Sequence, residues 1–262
     1  MRLLFLGDVV GEPGRKAVSA VLPGLKKELG VDLAVVNGEN AAGGRGITPK
    51  IAIGLMRSGA SIITTGDHIW DQREIEPYLK EEPRVLRPLN YPEGVPGHGA
   101  FVLETARGPI GVINLLGRVF MGPQLDNPFP AVRQAVEEMR QETRVILVDF
   151  HAEATSEKVA MGWHLDGLVS VVVGTHTHVP TADERILPGG TAYQTDAGMC
   201  GPEESVIGSQ IEPVLSRFQT MMPARFGVGR GRVRINGLLV SVQPETGRAV
   251  AVERVVRYWE GI

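Results

Sequence analysis

The chain has 262 residues, 43% of them hydrophobic, and its 27 Lys and Arg against 30 Asp and Glu leave a formal net charge of −3. That length buries a full core without disulfide or metal staples. The charge offers no whole-molecule attraction to nucleic acid or an anionic membrane. The single cysteine, Cys200, excludes an internal disulfide framework and suits a small buried apolar side chain. No apolar run approaches the ~20 residues of a membrane span, and the opening MRLLFLGDVVGEPGR reaches Asp8 too soon for a secretory signal. A soluble cytoplasmic protein with no membrane partner is expected.

In chain order, RLLFLG (2–7) reads as a buried strand, and GRKAVSAVLPGLKKELG (14–30) as a helix with Pro23 as a candidate break and Gly30 as its stop. VDLAVVNG (31–38) is the next strand. TPKIAIGLMRSG (48–59) reads as a helix with Thr48 as N-cap, Pro49 at the first helical position and Gly59 as the C-terminal signal. ASIITTG (60–66) gives a third strand. This βαβαβ rhythm predicts a parallel sheet covered by helices. Residues 98–117 read as two strands around a Gly-Pro turn, 130–142 as a helix and 144–150 as a strand, with 170–174, 184–195 and the tail from Arg230 onward mainly strands. A parallel first half and a β-rich second half predict two sheets packed together in one domain spanning 1–262.

Each of five predicted strands stops at a group able to bind metal: Asp8; Glu39 with Asn40; Asp67 with His68; His151; and His176 with His178. In α/β sheets the carboxyl ends of the strands form the ligand crevice, so these ends are expected to converge. On an extended segment residues i and i+2 point the same way, so His176 and His178 should face one site while Thr177 faces elsewhere. Taken singly, each feature has an ordinary reading. An Asp after a strand caps or turns, NGEN is a turn, and a buried histidine is usually a hydrogen-bonded core residue. Together they point to metal, because imidazole suits zinc, iron, manganese, copper and nickel while carboxylate and amide oxygens suit harder ions. The set is too large for one tetrahedral ion and fits two ions held ~3.5–4 Å apart and bridged by a carboxylate. His98 and His164 lack this context and are expected to be structural.

The ordered segments GD, GEN, GDHIWD, DFHAEATSEK and GTHTHVPTAD resemble the YmdB-like family of calcineurin-type metallophosphoesterases, almost end to end. The resemblance implies an α/β fold, a four-layer sandwich of two mixed β-sheets flanked by helices. It also implies a two-metal phosphodiesterase acting on cyclic nucleotides, 2′,3′ or 3′,5′, or on related phosphodiesters. By the same resemblance Asp8, Glu39 and His178, with Asn40 close by, would hold one ion, Glu39 would bridge, and Asp67, His151 and His176 would hold the second. His68 would face the substrate. Two positions depart from the pattern. Val10 stands where the wider superfamily has a histidine, and Asp67 stands where the group usually has asparagine, adding a third carboxylate. The ions implied are iron or manganese, with zinc and magnesium also compatible. Paired cations offset the charge of an anionic phosphodiester and yield hydroxide near neutral pH. His68 would then protonate the leaving oxygen.

GDVVGEPG has the wrong spacing for a dinucleotide loop, and GGRG (43–46) lacks a Walker lysine, though Arg45 could approach a phosphate. Arg230, Arg232 and Arg234 alternate and are expected to share one strand face, either solvated or in contact with RNA or a nucleotide. Trp70 is expected in the core. The apolar, Gly-rich tail is compatible with a homo-oligomer. The rival functions are a phosphomonoesterase or nucleotidase and a non-catalytic, metal-dependent regulator binding RNA or a partner.

Overall fold

A computed structural model describes residues 1–261. In chain order its elements are β1 (Arg2–Leu6), β2 (Asp8–Val9), α1 (Gly11–Leu29), β3 (Leu33–Asn37), α2 (Pro49–Arg57), β4 (Ile62–Thr64), α3 (Ile75–Glu81), β5 (Ala100–Thr105), β6 (Gly108–Leu116) and α4 (Pro128–Met139). There follow β7 (Ile146–His151), α5 (Thr155–His164), β8 (Val171–Thr175), β9 (Arg185–Ile186), β10 (Ala192–Gln194), β11 (Met199–Pro202), α6 (Ile211–Thr220), β12 (Val233–Val242) and β13 (Ala249–Trp259). The first sheet has the order β2-β11-β12-β1-β3-β4, with β13 also on β12, and the second the order β5-β6-β7-β8-β10-β9. Strands β1, β3 and β4 run parallel, as do β6, β7, β8 and β10, while β12 lies antiparallel to β1 and β13. Both sheets are therefore mixed.

Alternation along the strands sorts the core into three apolar layers. Leu4, Leu6, Ala34 and Val36 pack with Val18, Leu22 and Leu25 of α1 and Ala52 and Leu55 of α2. Leu3, Phe5, Leu33, Val35 and Ile62 point the other way, onto Val112, Leu147, Val171 and Val173 of the second sheet. Ile146, Val148, Phe150 and Val172 pack beneath Val132 and Val136 of α4 and Met161 of α5. The result is the helix–sheet–sheet–helix sandwich implied by the sequence resemblance. The same alternation builds the site. The row facing the opposite sheet reads Leu33, Val35, Asn37 on β3, Ile62, Thr64 on β4, Leu147, Asp149, His151 on β7, and Val171, Val173, Thr175 on β8. Each row is apolar in its body and polar at its carboxyl end, so a polar cluster closes one end of the inter-sheet core.

Several local expectations are met. Thr48 accepts from the Ile51 amide at 3.3 Å, and Gly30 ends α1 in the left-handed region, φ 61°. Others are corrected. Helix α1 starts at Gly11 and runs through Pro23 without a break, because its buried face of Ala17, Val18, Leu22 and Leu25 offsets the missing amide. The β5–β6 turn falls at Ala106 and Arg107, and Gly108-Pro109 already belongs to β6. Helices α3, α5 and α6 and strands β2 and β11 have no counterpart in the sequence reading. β12 begins at Val233, so Arg230 and Arg232 precede it and only Arg234 lies on a strand. Arg232 instead stacks 3.9 Å from the Tyr258 ring centre and faces Glu203 and Glu260. Trp70 packs edge-on against Tyr91 at the margin of the first core layer. Cys200 is fully buried, and burial pushes its thiol up to about 12. His164 bonds the Phe129 carbonyl at 3.1 Å. No described helix is long and apolar enough to cross a membrane.

Candidate metal centre

The expected residues lie at the carboxyl ends of β1, β3, β4, β7 and β8. Asp67, His151 and His176 each present a ligand atom to a common point, as do Glu39, Asp67 and His68. Asp8 joins them, with Oδ2 accepting the His176 amide at 3.2 Å and Oδ1 3.6 Å from His151 Nδ1. Asn40 Oδ1 lies 3.1 Å from His178 Nε2. Close packing requires glycine at two of these ends. A Cβ on Gly66 would overlap the His151 ring, and one on Gly174 would overlap the Thr195 carbonyl.

The histidine pair arrives by a route that the extended-strand argument did not foresee. β8 ends at Thr175, and His176 and His178 both have left-handed backbone, φ 99° and 65°. Such conformations are costly for non-glycine residues and persist only where the surroundings enforce them. Here Thr177, between the two, is pinned from below: its amide and hydroxyl both donate to Asp196 Oδ2, at 3.1 and 2.8 Å. The same oxygen accepts from Lys158 Nζ at 2.6 Å, and both side chains of that ion pair are 1% exposed.

Each of the three ligand-candidate histidines is fixed through the ring nitrogen that points away from the pocket. Thr175 gives its one hydroxyl proton to Asp149 Oδ1 at 2.7 Å, so it can only accept from His151 Nδ1, 2.9 Å away. His151 Nε2 then carries a bare lone pair, directed at His176 Nδ1 at 3.1 Å and Asp67 Oδ1 at 3.3 Å. His176 Nε2 meets Glu153 Oε2 at 3.0 Å, which leaves its Nδ1 bare as well. His178 Nδ1 donates to the Ile207 carbonyl at 2.8 Å, so its Nε2 faces Asn40 Oδ1 acceptor to acceptor; the Asn40 amide is oriented by its own Nδ2 bond to the Gly44 carbonyl. Holding one ring nitrogen so that the other can ligate is how proteins prepare histidine for metal.

The electrostatics agree. Asp8 is fully buried, and desolvation, with Asp196 nearby, pushes its carboxyl up to about 8. Burial, Asp67 and Asp8 raise Glu39 well above its ordinary range. Burial lowers His151 to about 3 and also lowers His176 and His178. Asp67 shifts the other way: burial raises its carboxyl, but the neighbouring His151, His68 and His176 rings hold it below the ordinary aspartate range, so the deficit of positive charge is centred on Asp8 and Glu39. Asp8 Oδ1 and Asp67 Oδ1 are buried without any hydrogen-bond partner, a state that native interiors avoid unless something else fills it. The donor set therefore fits cations. His68 lies at the rim, its Nδ1 3.3 Å from Asp71 Oδ2 and 3.4 Å from Arg45 Nη2, and its amide donates to Glu39 Oε1 at 2.6 Å. A cavity of about 430 Å³ opens there, lined by Arg45, His68, His178, Ile207 and Phe226 among others.

Sequence reasoning did not identify Asp149, Glu153, Thr175, Lys158 or Asp196. Asp149 had a readable signal, a charge in the buried strand RVILVDF two residues before His151. The other four have no local signal, since their partners come from elsewhere in the chain.

A two-sheet sandwich that gathers carboxylates, an amide and oriented histidines at its strand ends defines the metallophosphoesterase class. Within that class the chain belongs to the YmdB-like family, whose family model, described as YmdB-like protein, matches residues 4–255. It is 47% identical over 256 residues to a protein of Bacillus subtilis strain 168 named 2′,3′-cyclic-nucleotide 2′-phosphodiesterase, covering 98% of this chain and 97% of that one. A hypothetical protein from Thermus thermophilus has a crystal structure similar to this one with TM-score 0.92 and 43% identity over 100% of both chains. A Mycoplasma pneumoniae structure titled a novel phosphatase matches with TM-score 0.92 and 35% identity, over 99% of this chain and 94% of that one.

Proposed function

We propose that the whole chain acts as one metal-dependent phosphodiesterase domain, with cyclic nucleotides as substrates and the 2′,3′ class, named in the Bacillus subtilis relative, as the first to test. The observation that carries this reading is the close approach of atoms able to ligate, His151 Nε2 to His176 Nδ1 and Asp67 Oδ1 and His178 Nε2 to Asn40 Oδ1, which the hydrogen bonds at the opposite ring nitrogens leave as acceptors. In this reading Asp8, Asn40 and His178 hold one cation, Asp67, His151 and His176 hold a second, and Glu39 lies between them, steadied by the amides of Gly66 and His68. Two divalent ions, iron or manganese by donor chemistry with zinc and magnesium also compatible, would neutralise the phosphate and acidify a water.

The chain's own groups do the rest. Arg45, beside His68 and Asp71, faces the non-bridging oxygens. His68, held by Asp71 through Nδ1, donates the proton that the leaving 2′-oxygen needs as water oxygen joins phosphorus and the P–O2′ bond breaks, leaving a 3′-phosphate. General acid assistance of this kind is worth ~10²–10⁴ in rate. The test is hydrolysis of bis-p-nitrophenyl phosphate with manganese, with and without chelator, against mono-p-nitrophenyl phosphate as the monoesterase control. His68→Ala should retain manganese and lose roughly 10²-fold or more in kcat. Turnover that survives chelation, or a preference for the monoester, would refute this reading; normal turnover by His68→Ala would remove it from the acid role.

A further inference from the structure

The cavity at the metal centre does not stand alone. A second cavity, of about 500 Å³, is lined by Glu12, Lys16, Arg230 and Trp259, and it shares Gly43 and Val228 with the first. The two are neighbours, separated by a sill that Gly43 and Val228 form. Gly43 contributes no side chain to that sill, and nothing lies within 4 Å of where its Cβ would stand. Each cavity has the size of a small-molecule site, ~300–1,000 Å³. Each is lined by a cation and an aromatic ring: Arg45 and Phe226 in the first, Arg230 and Trp259 in the second. Aromatic side chains stack on any base, and basic side chains track the phosphates between them. Lys16 adds a second charge; its partner Glu12, at 2.9 Å, makes an exposed pair, a kind easily exchanged for a phosphate.

We infer that the preferred substrate is an oligoribonucleotide end rather than a free nucleotide. The 3′-terminal nucleoside bearing the 2′,3′-cyclic phosphate occupies the first cavity. Its 5′ neighbour occupies the second, with the connecting phosphate against Arg230 and Lys16. The inference rests on the phosphodiesterase reading and names the substrate class for it. General chemistry points the same way. A 2′,3′-cyclic phosphate forms when a ribose 2′-hydroxyl attacks its own phosphodiester, so the species first formed is the end of a chain. The overall charge of −3 is no obstacle, because only one or two phosphate contacts are needed.

The experiment compares kcat/KM of the manganese-loaded enzyme on adenosine 2′,3′-cyclic phosphate and on adenylyl-(3′,5′)-adenosine 2′,3′-cyclic phosphate. The dinucleotide should be favoured by about tenfold, as one charged hydrogen bond allows, and Arg230→Ala should bring that preference close to unity. In parallel, binding of 5′-fluorescein-labelled adenylyl-adenosine 3′-phosphate to the metal-free protein is followed by anisotropy. It should be several-fold tighter than that of the labelled mononucleotide, with a log–log salt slope of roughly −0.7 to −1.4 for one or two contacts on a single strand. Equal kcat/KM for the two substrates, or a preference that Arg230→Ala leaves intact, overturns the inference. If neither cyclic substrate is hydrolysed, the phosphodiesterase reading fails instead. The metal-free binding comparison then decides the second cavity, and equal affinity for the two labelled ligands rejects it.

Discussion

Two polar clusters lie back to back at the same strand ends, and they differ in whether their hydrogen-bonding capacity is filled. In the inner one Asp149 accepts from Thr64, Asn37 and Thr175 at 2.6, 2.9 and 2.7 Å, and Asp196 accepts from Lys158, Thr177 and the Gly198 amide. In the outer one Asp8 Oδ1 and Asp67 Oδ1 have no partner, and histidine nitrogens meet other acceptors. Burial is similar: Asp8, Asp149 and Asp196 are all at 0% exposure. What separates support from function here is the completeness of the hydrogen-bond inventory, because a buried carboxylate that stays short of donors must either keep a proton or be compensated by something outside the chain.

That contrast can be broken, beginning with the largest effect. Lys158→Met removes one half of a filled, buried ion pair and should cost ~3–5 kcal/mol of stability, read as a lower urea midpoint. Adding Asp196→Asn should recover part of the loss. An unchanged midpoint for the single variant would mean that the inner cluster supports nothing. The outer cluster should respond with the opposite sign. Above about pH 8, where its carboxyl is ionised, Asp8→Asn relieves an unpaired buried charge and should stabilise the metal-free protein by ~1–3 kcal/mol, while calorimetric titration with manganese shows binding lost. Destabilisation of the metal-free form would put Asp8 among the structural groups.

Smaller effects sharpen the picture. Asp67→Asn restores the amide usual in the resembling group and removes one of three carboxylates, so manganese should bind on the order of tenfold more weakly. Equal affinity would show that the third charge does not matter. The last prediction concerns pH. Folded Asp8, pushed up to about 8, and Asp149, up to about 7, keep protons that the unfolded chain has already released at ordinary aspartate values. The folded state thus binds more protons, and the metal-free Tm should fall as pH rises from about 6.5 to about 8. The burial-depressed histidines act in the other direction, but only below ~6.5, where the unfolded imidazole protonates. Manganese should remove the Asp8 share of the decline, since it binds that ligand deprotonated, and leave the Asp149 share. A metal-free Tm that climbs across this window would contradict the assignment of Asp8 and Asp149 as raised.

Much of the centre was legible. The apolar runs that end in Asp8, Glu39, Asp67, His151 and His176 carry their own stop signals, and parallel strands bring such ends together. The approach of the GTHTH segment was not. Period-two reasoning put His176 and His178 on one strand face, whereas β8 stops at Thr175 and two left-handed residues turn the rings inward. Helix α5 escaped for a related reason. Its Gly162 weakens local helix propensity, and the segment is held as helix by packing on the Tyr193 ring, with no room for a Cβ. Arg230 and Arg232 looked like strand partners of Arg234 because alternation by itself does not say where a strand begins.

The sequence by itself determined the layers, the strand ends and the chemical types that meet there, because hydrophobic periodicity and turn chemistry act over a few residues. Only the tertiary structure decided which nitrogen of each histidine faces the pocket and how the histidine loop is held. It also decided that two cavities share Gly43 and Val228 in their walls. Those features depend on partners 24 to 138 positions apart, such as Thr175 with His151 and Asn40 with His178, and no local pattern encodes a contact that exists only once the sheets have packed.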